Sequence, residues 1–183
     1  MFSVLVNVLT ALLVAAAVAA HARRSPLPQV LRYFTAQSNV LCAFASLAVA
    51  AARLSGGVPA AVLLFKYIGT VAVLVTLLTV LVFLGPQYGY KLLFSGPDLW
   101  LHLVCPLLAL FSWLLWDRLP LASGTALLGT LPVLFYGLLY LRRVVFQKRW
   151  EDFYGFNRGG RWPVSFAAMI VCTALLCLLF TLG

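Results

Sequence analysis

Six long apolar stretches joined by short connections account for nearly the whole chain. A hydrocarbon core about 30 Å thick needs roughly 20 apolar residues for each spanning helix. The stretches cover residues 2–20, 31–52, 59–84, 98–116, 125–141 and 162–182. They are unbroken, unlike the alternating segments of about 10 residues that are typical of membrane β-barrels. The sequence therefore predicts an all-α, polytopic membrane bundle with six transmembrane helices, forming a single domain over residues 1–183.

Charge supports the same class of protein. Only 9% of the residues are charged, against about 25% in soluble domains. Thirteen Lys and Arg outnumber four Asp and Glu, which gives a net charge of +9. In so apolar a chain this excess indicates loops beside a membrane, with membrane lipids as partners, and does not indicate nucleic-acid binding.

The connections, numbered loops one to five, differ in their basic residues. Loops one, three and five hold nine Lys and Arg, whereas loops two and four hold only Arg53 and Arg118. The positive-inside rule therefore places the odd loops in the cytoplasm. No Lys or Arg precedes the first stretch, so we expect a retained helix rather than a cleaved signal.

Polar residues within the stretches are informative, because an ionisable group near the membrane centre costs at least about 2.5–3.5 kcal/mol. Helical spacing aligns one set on the second stretch: Arg32, Thr35, Asn39, Cys42 and Ser46. It aligns another on the fourth: Asp98, His102, Cys105, Ala109 and Ser112. Both stripes are predicted to face the bundle interior. Lys66 is a further cation, which can extend to the interface or pair with a carboxylate.

Topology brings the two stripes together, because the second and fourth stretches both start from the predicted cytoplasmic side. Thr35 and His102 each lie about four residues into a stretch, roughly 6 Å below the same face at 1.5 Å per residue. Loop five lies at that face as well. It carries residues suited to a lid or to headgroup contacts: Arg149, Trp150, Tyr154 and Arg158.

One chemistry that fits these residues is nucleophilic acyl transfer. A threonine hydroxyl is a weak nucleophile without a neighbouring base, so Thr35 would attack an ester carbonyl while His102 takes its proton. Asp98, one turn before His102, would orient the imidazole. Asn39 or Arg32 would stabilise the oxyanion. This mechanism needs no metal or other cofactor.

Two other interpretations stay open. His21 and His102, with Cys42 and Cys105, offer metal or haem ligands, although the chain has only two histidines and no H-E-x-x-H motif. Alternatively, the protein is a non-catalytic lipid-binding module or small transporter. Its polar stripes would then tie helices together or line a cavity.

Two segments carry a family resemblance: Tyr33-Phe34-Thr35-Ala36-Gln37-Ser38-Asn39 and His102-Leu103-Val104-Cys105-Pro106-Leu107-Leu108. With six apolar stretches in the same order, the chain resembles the androgen-induced protein and rolling-stone-like membrane family, and most closely its small bacterial relatives. The resemblance implies a threonine nucleophile at Thr35 and a histidine base at His102. It implies fatty acid esters of hydroxy fatty acids as the lipid-ester substrate, and the bacterial cytoplasmic membrane as the location.

Overall fold

The computed structural model describes residues 1–182, and all the regular secondary structure in that range is helical. Six helices are long and apolar enough to cross a membrane. We number them α1 (Phe2–Ala22), α2 (Phe34–Leu54), α3 (Ala60–Tyr88), α4 (Gly96–Leu115), α5 (Ser123–Phe146) and α6 (Trp162–Leu179). The predicted all-α fold with six candidate spans is confirmed.

The helices fall into two compact units, Met1–Pro120 and a second unit that begins at Leu121. In the first unit α1 packs against α2 and α4, and α3 packs against the same two helices. In the second unit α5 packs against α6. Thr35 and His102 therefore both belong to the first unit, a bundle of four helices.

The helix of the second span begins a few residues after the predicted start at residue 31. Leu27–Val30 forms a separate helical turn, and α2 begins only at Phe34. Tyr33 has extended backbone, with φ of −89° and ψ of 135°, and this conformation cannot continue a helix. Thr35 consequently stands in the first turn of α2, and Arg32 lies before the helix.

Proline residues reshape α3 and α4. Each helix contains a five-residue π-helical turn, Val80–Leu84 in α3 and Trp100–Val104 in α4. A proline, Pro86 or Pro106, stands at the second position after each turn. Pro106 thus follows a π turn, and His102 lies within that turn.

The π turn in α4 leaves one main-chain carbonyl without a helical partner. The Cys105 N–H donates to the Trp100 carbonyl, five residues back. The next donor in this register belongs to Pro106, which has no N–H. The carbonyl of Leu101 therefore needs a donor from outside its own helix, since lipid supplies none.

A buried carboxylate connects three helix ends in the first unit, at the end opposite to the π turn of α4. Asp117 follows α4 and is completely buried. Its Oδ1 accepts hydrogen bonds from Ser3 Oγ at 2.7 Å and Arg53 Nη2 at 2.8 Å. Its Oδ2 accepts from Asn7 Nδ2 at 2.8 Å and from the Ser112 hydroxyl. One side chain thus joins α1, α2 and α4.

The same contacts determine the charge state of this carboxyl. Burial alone would raise the pKa of Asp117. The hydrogen bonds to the carboxylate outweigh burial and hold the pKa below its usual range; their donors are Ser112, Asn7, Arg53 and Ser3. The carboxylate form is therefore the one that the fold stabilises.

We predict that Asp117→Asn lowers the unfolding free energy in detergent by about 2–3 kcal/mol. Breaking a fully buried pair costs about 3–5 kcal/mol, and Arg53 is partly exposed. A folded pKa below the unfolded value of about 3.9 means that the carboxylate stabilises the fold above that pH. This contribution is lost as the pH falls through the folded pKa.

Thermal unfolding measured against pH tests this prediction. The wild type should lose stability on acidification, and Asp117→Asn should show a flatter profile. Glu151→Gln removes an exposed acid and serves as the control. A variant as stable as the wild type at neutral pH would contradict the role assigned to Asp117.

Candidate functional site

Thr35 and His102 meet at one end of the first unit. The Thr35 hydroxyl of α2 lies 3.4 Å from Nε2 of His102 in α4. His102 is buried and Thr35 is half-buried. The separation slightly exceeds the 2.6–3.2 Å of a working nucleophile and base, and such contacts are often longer in structures without substrate. The convergence that topology predicts for these two side chains is present in the structure.

A main-chain carbonyl fixes the orientation of the imidazole. Nδ1 of His102 lies 2.7 Å from the carbonyl oxygen of Leu93, in loop three. A carbonyl oxygen only accepts hydrogen bonds, so Nδ1 carries a proton. In the neutral ring Nε2 is then the acceptor, and it faces the Thr35 hydroxyl. This polarity is the one that a general base requires.

Asp98 does not orient His102 as expected. Its carboxylate lies 3.1 Å from Nε2 of His21, at the end of α1. Nδ1 of His102 is held instead by the Leu93 carbonyl. The one-turn spacing from Asp98 to His102 predicted contact, but His102 lies within the π turn Trp100–Val104, which alters the helical register. Asp98 therefore joins α1 to α4 beside the site.

Asn39 holds the two site residues in place and is not arranged as an oxyanion donor. Its Nδ2 donates to the Thr35 carbonyl at 2.8 Å and to the Leu101 carbonyl at 3.0 Å. Both amide protons are therefore committed to main-chain acceptors. The second acceptor is the carbonyl that Pro106 leaves without a helical partner. Asn39 thus connects the backbone of Thr35 to the residue before His102.

The predicted stripe on the second span is buried only beyond its first members. Asn39, Cys42 and Ser46 are completely buried. Arg32 is exposed and precedes α2, so it does not share this face. An oxyanion role for Arg32 stays a prediction.

Lys66 does not extend toward the membrane surface. The side chain is fully buried, and its Nζ donates to the Ser46 hydroxyl at 2.8 Å. A second hydroxyl contact joins the same two helices, between Ser38 and Thr76 at 2.9 Å. These two contacts join the buried faces of α2 and α3.

Loop five belongs to the second unit and is organised around Asp152. The Tyr140 hydroxyl donates to this carboxylate at 2.7 Å, and the Phe156 N–H donates to it at 2.9 Å. The residues proposed as lid or headgroup contacts differ in exposure. Arg149 and Arg158 are exposed, Trp150 is half-buried and Tyr154 is buried. Tyr154 therefore contributes to the aromatic packing of the loop, and a lid stays a prediction.

Metal ligands do not cluster in the part of the chain that the structure describes. Among residues 1–182, no three His, Cys, Asp or Glu side chains come close enough to hold a metal ion. His21 of the metal interpretation instead pairs with Asp98.

Comparison with known proteins gives no family assignment. No family model, no curated protein and no solved structure matches the chain. The resemblance carried by the segments around Thr35 and His102 stays a prediction. The chemistry of the site is therefore argued from its geometry.

Two groups were absent from the sequence-based expectations. The Leu93 carbonyl is main chain and has no side-chain signature. The cluster on Asp117 had a signal, since Ser3 and Asn7 stand four residues apart on the first apolar stretch. Such spacing places both on one helix face.

We predict that Asn39 and Pro106 are energetically coupled through the Leu101 carbonyl. Asn39→Leu removes the donor to the buried Leu101 carbonyl, at a cost of about 1–3 kcal/mol in unfolding free energy. The Thr35 carbonyl still accepts from the Ser38 hydroxyl at 3.2 Å. Pro106→Ala restores a main-chain N–H, so Asn39→Leu should cost at least about 1 kcal/mol less in that background. A double-mutant cycle in detergent measures this difference.

Pro86→Ala is the matched control. Pro86 follows the other π turn and leaves a different carbonyl, that of Leu81, without a helical donor. Asn39→Leu and Pro86→Ala should be additive within about 0.5 kcal/mol. Additivity of Asn39→Leu with Pro106→Ala as well would contradict the assigned contact.

Proposed function

We propose that the first unit is an intramembrane lipid-ester hydrolase in which Thr35 is the nucleophile and His102 is the general base. The observation that carries this proposal is the ordered set of contacts from the Leu93 carbonyl through His102 to the Thr35 hydroxyl. Packing alone does not require an imidazole whose acceptor nitrogen faces a hydroxyl. Fatty acid esters of hydroxy fatty acids are the substrate class that the family resemblance implies.

The proposed reaction has two stages. Nε2 of His102 takes the hydroxyl proton as Oγ1 of Thr35 attacks the ester carbonyl carbon. The tetrahedral intermediate expels the alcohol oxygen, which receives this proton, and an acyl-threonine ester remains. Water, deprotonated by the same Nε2, then attacks the acyl carbon. The carboxylic acid leaves, and the Thr35 hydroxyl is restored.

The position of Thr35 in the first turn of α2 favours the negative charge that develops on the oxyanion of the tetrahedral intermediate. The N–H groups of Ala36 and Gln37 point toward the helix start, where they donate to the Tyr33 carbonyl, and the helix dipole favours negative charge there. This helix end replaces Asn39 as the proposed stabiliser of the oxyanion. The surrounding helices are apolar, which suits the acyl chain of a lipid.

Exposed cations of loop five support a membrane setting for the proposal. Arg149 and Arg158 are exposed on the connection between two candidate spans. Cations beside a membrane attract anionic headgroups, by about 1 kcal/mol each. We place the protein in a bacterial cytoplasmic membrane, with lipids as its partners.

We expect purified protein to release free fatty acid from a panel of lipid esters in mixed micelles. His102→Asn should lower kcat by about 10²–10⁴-fold, the usual contribution of a general base. Thr35→Ala should abolish turnover, and Thr35→Ser should retain it. The melting temperature of each variant is measured alongside its activity.

Thr10→Ala is the matched control, because the Thr10 hydroxyl donates within its own helix, to the Val6 carbonyl at 2.8 Å. It should leave turnover unchanged. If the wild type is inactive, or if Thr35→Ala lowers stability by about 0.6 kcal/mol or more without changing turnover, the polar contact is structural. The non-catalytic interpretation would then replace the hydrolase.

A further inference from the structure

The imidazole of His102 depends on a segment outside its own helix. Its Nδ1 donates to the carbonyl of Leu93, nine residues earlier in loop three. Leu93 ends a one-turn helix, Tyr90–Leu93, which we name the loop-three turn. The last carbonyls of a helix have no intrahelical donor, and the imidazole supplies one here. The orientation of the His102 ring therefore depends on the position of this turn.

Tyr90 anchors the loop-three turn to α3. The Tyr90 hydroxyl donates to the Leu81 carbonyl at 2.7 Å. No N–H of α3 is placed to donate to the Leu81 carbonyl, because the Gly85 N–H donates to the Val80 carbonyl and Pro86 has no N–H. The arrangement repeats the one at Leu101, where Asn39 is the donor. In both cases a side chain satisfies a carbonyl that a proline has left without its helical partner.

Gly85 leaves space for the Tyr90 ring. A Cβ atom at Gly85 would lie 2.0 Å from a ring carbon of Tyr90. Gly89 has a φ of +87°, a conformation that favours glycine and lets the chain turn before Tyr90. The Phe94 ring, which follows the turn, stacks on the Tyr90 ring with ring centroids 6.1 Å apart. The turn is therefore positioned by a specific ring contact and a specific hydrogen bond.

We propose that Tyr90 is a positioning residue that, through the loop-three turn, holds the Leu93 carbonyl against Nδ1 of His102 and keeps Nε2 unprotonated toward Thr35. The hydrogen bond made by one ring nitrogen determines which nitrogen carries the proton. Only the consequence for catalysis rests on the proposed hydrolase. The effect on the histidine tautomer follows from the contacts alone.

The test is ¹⁵N nuclear magnetic resonance of the ring nitrogens in full-length, ¹⁵N-histidine-labelled protein in detergent at alkaline pH. The chain has two histidines, and His21→Gln assigns the signals. In the wild type Nδ1 of His102 should be protonated and Nε2 unprotonated. In Tyr90→Phe both nitrogens should move toward the averaged shifts of two exchanging tautomers.

A second variant reaches the same contact through a different atom. Gly85→Ala keeps the Tyr90 hydroxyl but displaces its ring, and it should also average the two nitrogen shifts. Tyr140→Phe is the control, since it removes a tyrosine hydroxyl bond, to Asp152, in the second unit. It should leave the His102 signals unchanged.

The inference is overturned if Nδ1 stays fully protonated in folded Tyr90→Phe and Gly85→Ala. If one of the two fails to fold, the other decides. Where the wild type hydrolyses lipid esters, Tyr90→Phe should also lower kcat by about 10–100-fold with little change in KM. A wild type without activity would remove the hydrolase proposal and leave the tautomer result standing.

Discussion

A proline inside a membrane-spanning helix leaves a carbonyl that lipid cannot satisfy, and the first unit is arranged around two such carbonyls. Water would hydrate an unpaired carbonyl at little cost, whereas in hydrocarbon it costs several kcal/mol. Asn39 supplies the donor for Leu101, and Tyr90 supplies the donor for Leu81. Each contact also helps to position His102. Leu101 directly precedes His102, and Tyr90 begins the turn whose last carbonyl binds the imidazole.

The two ends of the first unit use polar groups differently. At the end formed by Asp117, the polar side chains surround a carboxylate that Arg53 and neutral donors stabilise. At the other end, the Thr35 hydroxyl and Nε2 of His102 face each other at 3.4 Å, while the Asp98 carboxylate pairs with His21. The first arrangement stabilises helix packing. The second places an acceptor nitrogen next to a hydroxyl, the arrangement on which the proposed hydrolase depends.

Apolar length and periodicity predicted the six helices and brought Thr35 and His102 to the same end of the bundle. They failed where backbone hydrogen bonding decides the outcome. Asp98 is one ideal turn from His102 in sequence, but the π turn before Pro106 changes the register and leaves that carboxylate to His21. The Leu93 carbonyl has no side-chain identity, so its part in the site becomes visible only with the fold.

A fluorophosphonate reacts with activated hydroxyl nucleophiles and so tests directly whether His102 activates Thr35. The measurement is the intact mass of detergent-purified protein after exposure to this reagent. We expect a single adduct that peptide mapping places on Thr35, and no adduct on Thr35→Ala or His102→Asn. A folded, monodisperse wild type that gains no adduct, or an adduct that persists in Thr35→Ala, would contradict a nucleophilic threonine activated by His102.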